Sequence, residues 1–379
     1  MNIIVQKYGG SSLATPSHIR EVALLIQKRH ESGVKLCVVV SAMGKNTNEL
    51  LALAQEISPH PIRRELDMLL TCGERSSMAL LAMALGELGI PSMSLTGSQS
   101  GIITDDVHSG ARIIEVRPHR VQQGLDEGKV VIIAGFQGVS QSKEITTLGR
   151  GGSDTTAVAM AAALGAEACE IYSDVAGVYS ADPRVITDPA HISELSYDEM
   201  LKLASSGAKV LNAEAVAFAK LKNITIKARK AGFDSHETII KEVASTTEVS
   251  VKAITCQENL ICYRFETLTE LTNLLRALAA INIKPNQIIG SPAGFCLISP
   301  EDAHGQLPII GRMADCASIS LIGNHIGDNM PLLSRTLSKM QALEIPILGL
   351  VSSKLRLYFL IARPTVGEAV QAIYAENLK

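Results

Sequence analysis

The chain has little that would engage a nucleic acid or a bilayer. Its 35 lysines and arginines face 38 aspartates and glutamates, for a formal charge of -3. The basic residues are scattered, so no positive stripe is available for a phosphodiester backbone or an anionic lipid. No apolar run approaches the ~18 residues that a membrane span needs, and the N-terminus "MNIIVQKYGG" lacks a basic region followed by a long apolar one. The seven cysteines are odd in number, are never spaced C-x-x-C and mostly sit in apolar runs. This excludes a disulfide framework and reads as buried thiols in a reducing, cytoplasmic compartment. The standard phosphate signatures are missing as well. There is no G-x-x-x-x-G-K-[ST], and "GRGGSD" puts Asp154 where G-x-G-x-x-G needs its last glycine. A small-molecule partner is what these absences leave, with no nucleic acid, no membrane and no protein-derived metal site expected.

What is present is ample core. With 46% hydrophobic residues in 379, two or more units are expected. The first 230 or so residues alternate short apolar runs with helical patterns. "NIIVQKY" and "KLCVVVSA" read as strands around a helix that Thr15 caps, Pro16 opens and Gly33 stops. Further strands are expected at 91–95, 129–134, 169–173 and 224–227, with helices at 63–72, 75–88, 154–164, 197–206 and 212–222. Continuous β-branched runs between helices mark strands buried on both faces. The expectation is an α/β fold of three layers with a mainly parallel sheet, over residues 1–232. In the C-terminal third, short strands bracket single helices in the order of a ferredoxin-like α+β module, here a tandem at 247–316 and 317–379.

Four stretches carry chemistry. In "QKYGGSS", Lys7 at a strand end precedes Gly9, Gly10 and Ser11, where glycine backbone and a helix N-terminus can cradle a phosphate; a tight turn with a solvated lysine would look the same. "VVVSAMGKNTNEL" repeats the logic with Ser41, Gly44 and Thr47 at the next strand end, the edge at which parallel sheets bind ligands. "TCGERSS" sets Glu74 in an apolar helical region, where a substrate ammonium, a salt bridge or a cap would satisfy it. In "TTLGRGGSDTTA", Arg150 offers a fork for a carboxylate, and Ser153 with Asp154 begins a helix as caps. Beyond these, "IYSDVAGVYSADPRV" supplies Ser173, Asp174, Tyr179 and Arg184, of a kind that suits a nucleotide or a surface loop. Lys209 in "SSGAKVLNAEAV" could reach a phosphate or cap a helix end.

In this order the stretches resemble the aspartokinases of the amino acid kinase family. The matching elements are "KYGGSS", "VVVSAMG", "GE" at Gly73, "AGFQGVS", "TTLGRGGSDTTA", "YSDVAGVYSADPR" and "LSYDEMLKLASSGAKVL". The C-terminal third resembles tandem ACT modules. The resemblance implies an amino acid kinase fold and transfer of the ATP γ-phosphoryl group, with Mg2+, to the side-chain carboxylate of L-aspartate. Lys7 and Asp154 would be catalytic. Thr47, Glu74, Arg150 and Ser153 would hold aspartate. Lys7, Gly9, Gly10, Ser11, Ser41, Ser173, Asp174, Tyr179, Arg184 and Lys209 would contact ATP. A homodimer and an amino acid effector, lysine or threonine, at the ACT modules are also implied. The chain departs from the family where the first module's strand-to-helix turn lacks the usual proline-glycine pair and reads "YRFETLTELTNLL". The segment "GSPAGFCLISPEDAHGQLPIIGRMADC" is also short for that module's second helix.

Overall fold

The computed structural model describes residues 2–149, 151–208, 210–232, 236–243, 249–280, 285–291, 294–300 and 312–378. These divide into two compact units. One is made of Met1–Val178, His191–Ala204 and Lys209–Ala244, the other of Tyr179–Ala190, Ser205–Ala208 and Ser245–Lys379.

Strands in the first stretch of the chain are β1 (Ile3–Tyr8), β2 (Lys35–Val40), β3 (Ser92–Leu95), β4 (Ile102–Thr104), β5 (Ile113–Val116), β6 (Val130–Ala134), β7 (Gln137–Ser140), β8 (Ile145–Thr147) and β9 (Ala168–Ser173). The short strands β10 (Val178–Tyr179) and β11 (His191–Ile192) pair with each other, and β12 (Glu194–Ser196), β13 (Ile226–Lys230) and β14 (Thr238–Lys241) follow. The main sheet has eight strands in the order β12-β14-β13-β9-β1-β2-β6-β3. All its ladders given by register are parallel except β13 with β14. The expected mainly parallel α/β sheet is therefore present. Its central strands β2 and β6 are buried almost throughout, which is why they read as unbroken apolar runs.

The helices of this unit are α1 (Pro16–Glu31), α2 (Asn46–Ile57), α3 (Arg63–Glu87), α4 (His119–Asp126), α5 (Gly152–Leu164), α6 (Tyr197–Ser205) and α7 (Ala213–Lys222). Helices α1 and α3 share a core with Ile4 and Tyr8 of β1 and with Leu36, Val38 and Val40 of β2. Thr15 Oγ1 accepts from His18 N at the start of α1, with Pro16 in the first turn. The sequence expected two helices across residues 63–88; the structure has one. Gly73 is a contact point rather than a break, since a Cβ there would lie 2.8 Å from Ala42 Cβ. The stripe Asp67, Leu70, Thr71, Glu74, Ser77, Leu81 and Leu85 is buried along one side of α3. By length and composition α3 is also apolar enough to cross a membrane, against the expectation that no segment approaches this, and 44% of that apolar window is buried inside the protein. A second sheet of four strands, β5-β4-β7-β8, was not anticipated because its strands are only three or four residues long.

The second unit is built on β15 (Ser250–Phe265), β16 (Gln287–Ser291), β17 (Gly294–Pro300), β18 (Arg312–Asn324), β19 (Ile347–Ser353) and β20 (Arg356–Ala362). They form one antiparallel sheet in the order β16-β17-β15-β18-β20-β19. Helix α8 (Leu268–Ala280) packs Leu271, Leu274 and Leu278 on Ile261, Tyr263 and Leu297. Helices α9 (Met330–Ala342) and α10 (Val366–Asn377) cover Ile319, Leu321, Phe359 and Ile361. The two ferredoxin-like modules expected from the sequence thus share a single sheet, joined through the β15–β18 ladder. Residues 301–311, within the segment expected to be short of a helix, lie outside the described residues. The segment Tyr179–Ala190 belongs to this unit: Ala181 and Ile186 enter its core, and Ser180 Oγ lies 2.9 Å from Tyr374 Oη.

All seven cysteines are free. Cys37, Cys169, Cys262 and Cys316 are buried, Cys256 and Cys296 half-buried, and Cys72 exposed on α3, an exception to the expected buried thiols.

Candidate active site

Alternation along β1 sends Lys7 to the face covered by α5 and sends Gln6 and Tyr8 to the face covered by α1. Lys7 Nζ lies 2.7 Å from Asp154 Oδ1, and both side chains are nearly buried, at 12% and 11% exposure. Asp154 stands in the first turn of α5. That helix begins one residue before the expected caps: Gly151, at φ +74°, is the N-cap, and it forms no side-chain cap. Ser153 and Asp154 are therefore first-turn residues. The reason is steric, because a Cβ on Gly151 would run into Asn212, which only glycine avoids. Asn212 caps α7 through Oδ1, and its own N–H donates to Asp154 Oδ2 at 3.4 Å.

The glycines after β1 work by closeness. Gly9 N–H is taken by Tyr172 O at 3.1 Å. What Gly9 leaves open is space, for a Cβ there would sit 3.5 Å from Lys7 Nζ. A Cβ on Gly10 would meet Ala42 O at 2.8 Å, so the turns after β1 and β2 can touch only with glycine at this point. Ser41 follows β2 and donates its N–H to Tyr8 O at 3.1 Å. Thr47 lies in the first turn of α2, half-buried.

Glu74 approaches the same turn from α3. Its Oε1 accepts from Ala42 N at 3.1 Å, while Oε2 is buried with no hydrogen-bond partner among the described residues. Burial pushes its carboxyl up to about 7, against the pull of the backbone hydrogen bonds. A buried carboxylate oxygen without a donor is costly unless something cationic completes it. The surroundings thus fit a small ammonium. On the far side, Gly135 at the end of β6 leaves room for Ser153, whose Oγ would lie 2.8 Å from a Cβ at that position.

Lys7, Gly9, Gly10, Ser41, Glu74, Ser153 and Asp154 are thereby tied together at the carboxyl ends of β1, β2 and β6. Ser11, Ser173 and Asp174 line a cavity of about 280 Å³ at the ends of β1 and β9. Tyr179 and Arg184 fall in the other compact unit. There Arg184 is 80% exposed and pairs with its neighbour Asp182 at 2.6 Å. Arg150 and Lys209 lie outside the described residues.

Sequence reasoning missed Asp67. This fully buried carboxylate accepts from Ser109 N at 3.1 Å, Ser109 Oγ at 3.2 Å and Thr147 Oγ1 at 2.6 Å, and lies 2.8 Å from His108 Nδ1. It pins the loop after β4 against β8, next to the glycine-rich segment that leads to α5. The signal was available, since Asp67 precedes Glu74 by seven residues and shares its face of α3.

The family model described as the amino acid kinase family matches residues 2–228. The chain belongs to the amino acid kinase family. Within it, the aspartokinase of Geobacillus stearothermophilus is 39% identical over 395 residues, covering 99% of this chain and 97% of that protein. The aspartokinase of Mycolicibacterium smegmatis is 53% identical over 242 residues, 64% of this chain. That match spans 58% of the M. smegmatis protein's length, little more than half. In fold the chain is similar to E. coli aspartokinase III solved with aspartate and ADP, at a TM-score of 0.82 and 22% identity over 99% of each chain.

Proposed function

We propose that this chain is an ATP-dependent aspartate kinase, transferring the γ-phosphoryl group of ATP to the side-chain carboxylate of L-aspartate to give 4-phospho-L-aspartate. The product is the first intermediate toward the aspartate-derived amino acids. The observation that carries the reading is the juxtaposition of the buried Lys7–Asp154 pair with the unpartnered oxygen of Glu74. One holds a cation ready for phosphate, and the other waits for an ammonium.

The nucleophile needs no base. A free aspartate side chain has a pKa of about 3.9 and is ionised at neutral pH. The barrier is repulsion between that carboxylate and a triphosphate, so the protein must supply position and positive charge. Lys7, oriented by Asp154, meets the transferred phosphoryl oxygens. Gly9, Gly10, Ser11 and Ser41 let the phosphates approach the backbone, with the positive end of the α5 dipole beside them. Glu74 takes the α-ammonium, Arg150 a carboxylate, and Thr47 and Ser153 complete the aspartate site. Ser173, Asp174, Tyr179, Arg184 and Lys209 contact the nucleotide. Among the described residues no group of three or more His, Cys, Asp or Glu side chains is placed to hold a metal. Mg2+ would therefore enter with the phosphates, supplying charge neutralisation, with Asp154 the acidic residue of the cleft able to order it.

We assign residues 1–232 to the kinase domain and 247–316 and 317–379 to two ACT-like modules. A homodimer formed through those modules, and a cytoplasmic location in keeping with seven free thiols, complete the reading. E. coli aspartokinase III has been solved with lysine and aspartate; here lysine or threonine is the proposed effector. ADP release with MgATP and L-aspartate, beside L-glutamate and acetylglutamate, tests the assignment. Turnover only with aspartate is expected, and turnover with another acid, or none, overturns it. Light scattering at micromolar concentration should give a dimer.

A further inference from the structure

The face of β1 opposite Lys7 is covered by α1 only in part. Where the cover ends, a cavity of about 460 Å³ opens between α1, β9 and β13. Its lining includes Lys28 and Arg29 of α1 and Arg229 and Lys230 of β13, with no carboxylate among the lining residues. Beneath them lies Glu170, fully buried. Its Oε2 is used by Gln6 Nε2 at 2.8 Å and Tyr172 Oη at 3.0 Å, and its Oε1 is shared by Arg29 and Arg229, each at 3.4 Å.

A purely structural cluster would be tight. Ion pairs elsewhere in the chain close to 2.6 Å for Lys35 with Asp126 and 2.7 Å for Lys241 with Glu194. Here two guanidiniums divide one oxygen at 3.4 Å, near the long limit of a hydrogen bond, and Arg229 reaches Glu237 only at 3.3 Å. Among the described residues Arg29 Nε has no hydrogen-bond partner, and neither Lys28 nor Lys230 forms a salt bridge. The wall is stiff, with Tyr8 and Tyr172 stacked at 4.7 Å and Arg229 over the Tyr172 ring. Convergent, incompletely paired cations around a concavity of ligand size are what a multiply charged anion requires.

We infer that this cavity is a second ligand site, on the face of β1 opposite Lys7 and adjoining the cavity of Ser11, Ser173 and Asp174 through Leu25, Lys230 and Gly232, and that it takes a small phosphate-bearing anion. Inorganic pyrophosphate is titrated calorimetrically into the full chain and into Lys28→Gln, Arg229→Gln and Lys7→Met. Pyrophosphate binding that survives in Lys7→Met is expected, weakened about tenfold by Lys28→Gln or Arg229→Gln and further by added salt. Lys28 is exposed and forms no salt bridge among the described residues, so its variant carries the test even if Arg229→Gln does not fold. Absence of saturable binding, or binding lost in Lys7→Met and indifferent to Lys28→Gln, overturns the site. A parallel titration with AMP separates sources. Tighter binding than pyrophosphate, with the same dependence on Lys28, supports a nucleotide phosphate; weaker binding supports a free one.

Discussion

Lys7 and Gln6 are neighbours on one strand, yet the polar centres on the two faces of that strand are opposites in kind. On the α5 side the cation is held by one close carboxylate, with Lys7 and Asp154 2.7 Å apart, and the group left wanting is a carboxylate, Glu74. On the α1 side the carboxylate is saturated by four donors, and it is the guanidiniums that are underemployed. The comparison teaches that a buried charge points to a ligand through what it lacks. A cleft short of a cation selects an ammonium, and a hollow short of an anion selects a phosphate.

The sharpest way to break this contrast is at Lys7. Lys7→Met should lower kcat by about 10³-fold, the scale of losing a preorganised charge at the reacting group, with a much smaller change in the aspartate KM. Equal changes in both would move Lys7 out of the transition state. The buried Asp154 would then lack its partner, so a stability loss of about 3 kcal/mol should accompany the change in chemical denaturation.

Next in size is Glu74→Gln, which keeps the shape and removes the charge. The aspartate KM should rise about 100-fold, from the loss of a charge-assisted contact to ammonium, with kcat little altered in steady-state assays. An unchanged KM would remove Glu74 from the substrate site.

A pH series probes the same group more gently. Burial raises the Glu74 carboxyl to about 7, and only its ionised form can pair with an ammonium. Aspartate binding therefore releases a proton, and affinity rises with pH until the group is ionised in the free enzyme. Between pH 8 and pH 6 the aspartate KM should grow about tenfold, one decade per pH unit below the pKa. In Glu74→Gln that slope should be gone.

The smallest effect on turnover belongs to the other face. Glu170→Gln should leave kcat and the aspartate KM unchanged while costing about 1–3 kcal/mol, as Arg29 and Arg229 are left without a carboxylate, which thermal unfolding would register. The same variant should bind pyrophosphate more tightly than the native chain. Weaker binding would mean that Glu170 organises the hollow rather than competing for its cations.

Much of this was legible in the residues. Thr15 and Pro16 announce the start of α1, and unbroken valine and isoleucine runs announce β2 and β6, because both signals act within a few residues. The glycine-bearing strand ends around Lys7, Ser41 and Asp154 could also be read, because a backbone that must admit a ligand needs glycine there. Helix α3 was divided at Gly73 because its partner, Ala42, stands 31 positions away in the chain. Glu170 passed as one residue of a strand, since Arg29 and Arg229 reach it from 141 and 59 positions away.

The kinds of chemistry were thus written locally: a lysine and glycines at a strand end, an acid in an apolar helix, a helix entered through three glycines. Which charge would be satisfied and which left waiting was settled only when β1 was flanked by β2 and β9 and covered by α1 and α5. A hydrogen-bond deficit is a property of an enclosed volume. Its walls here come from segments that the chain itself keeps far apart.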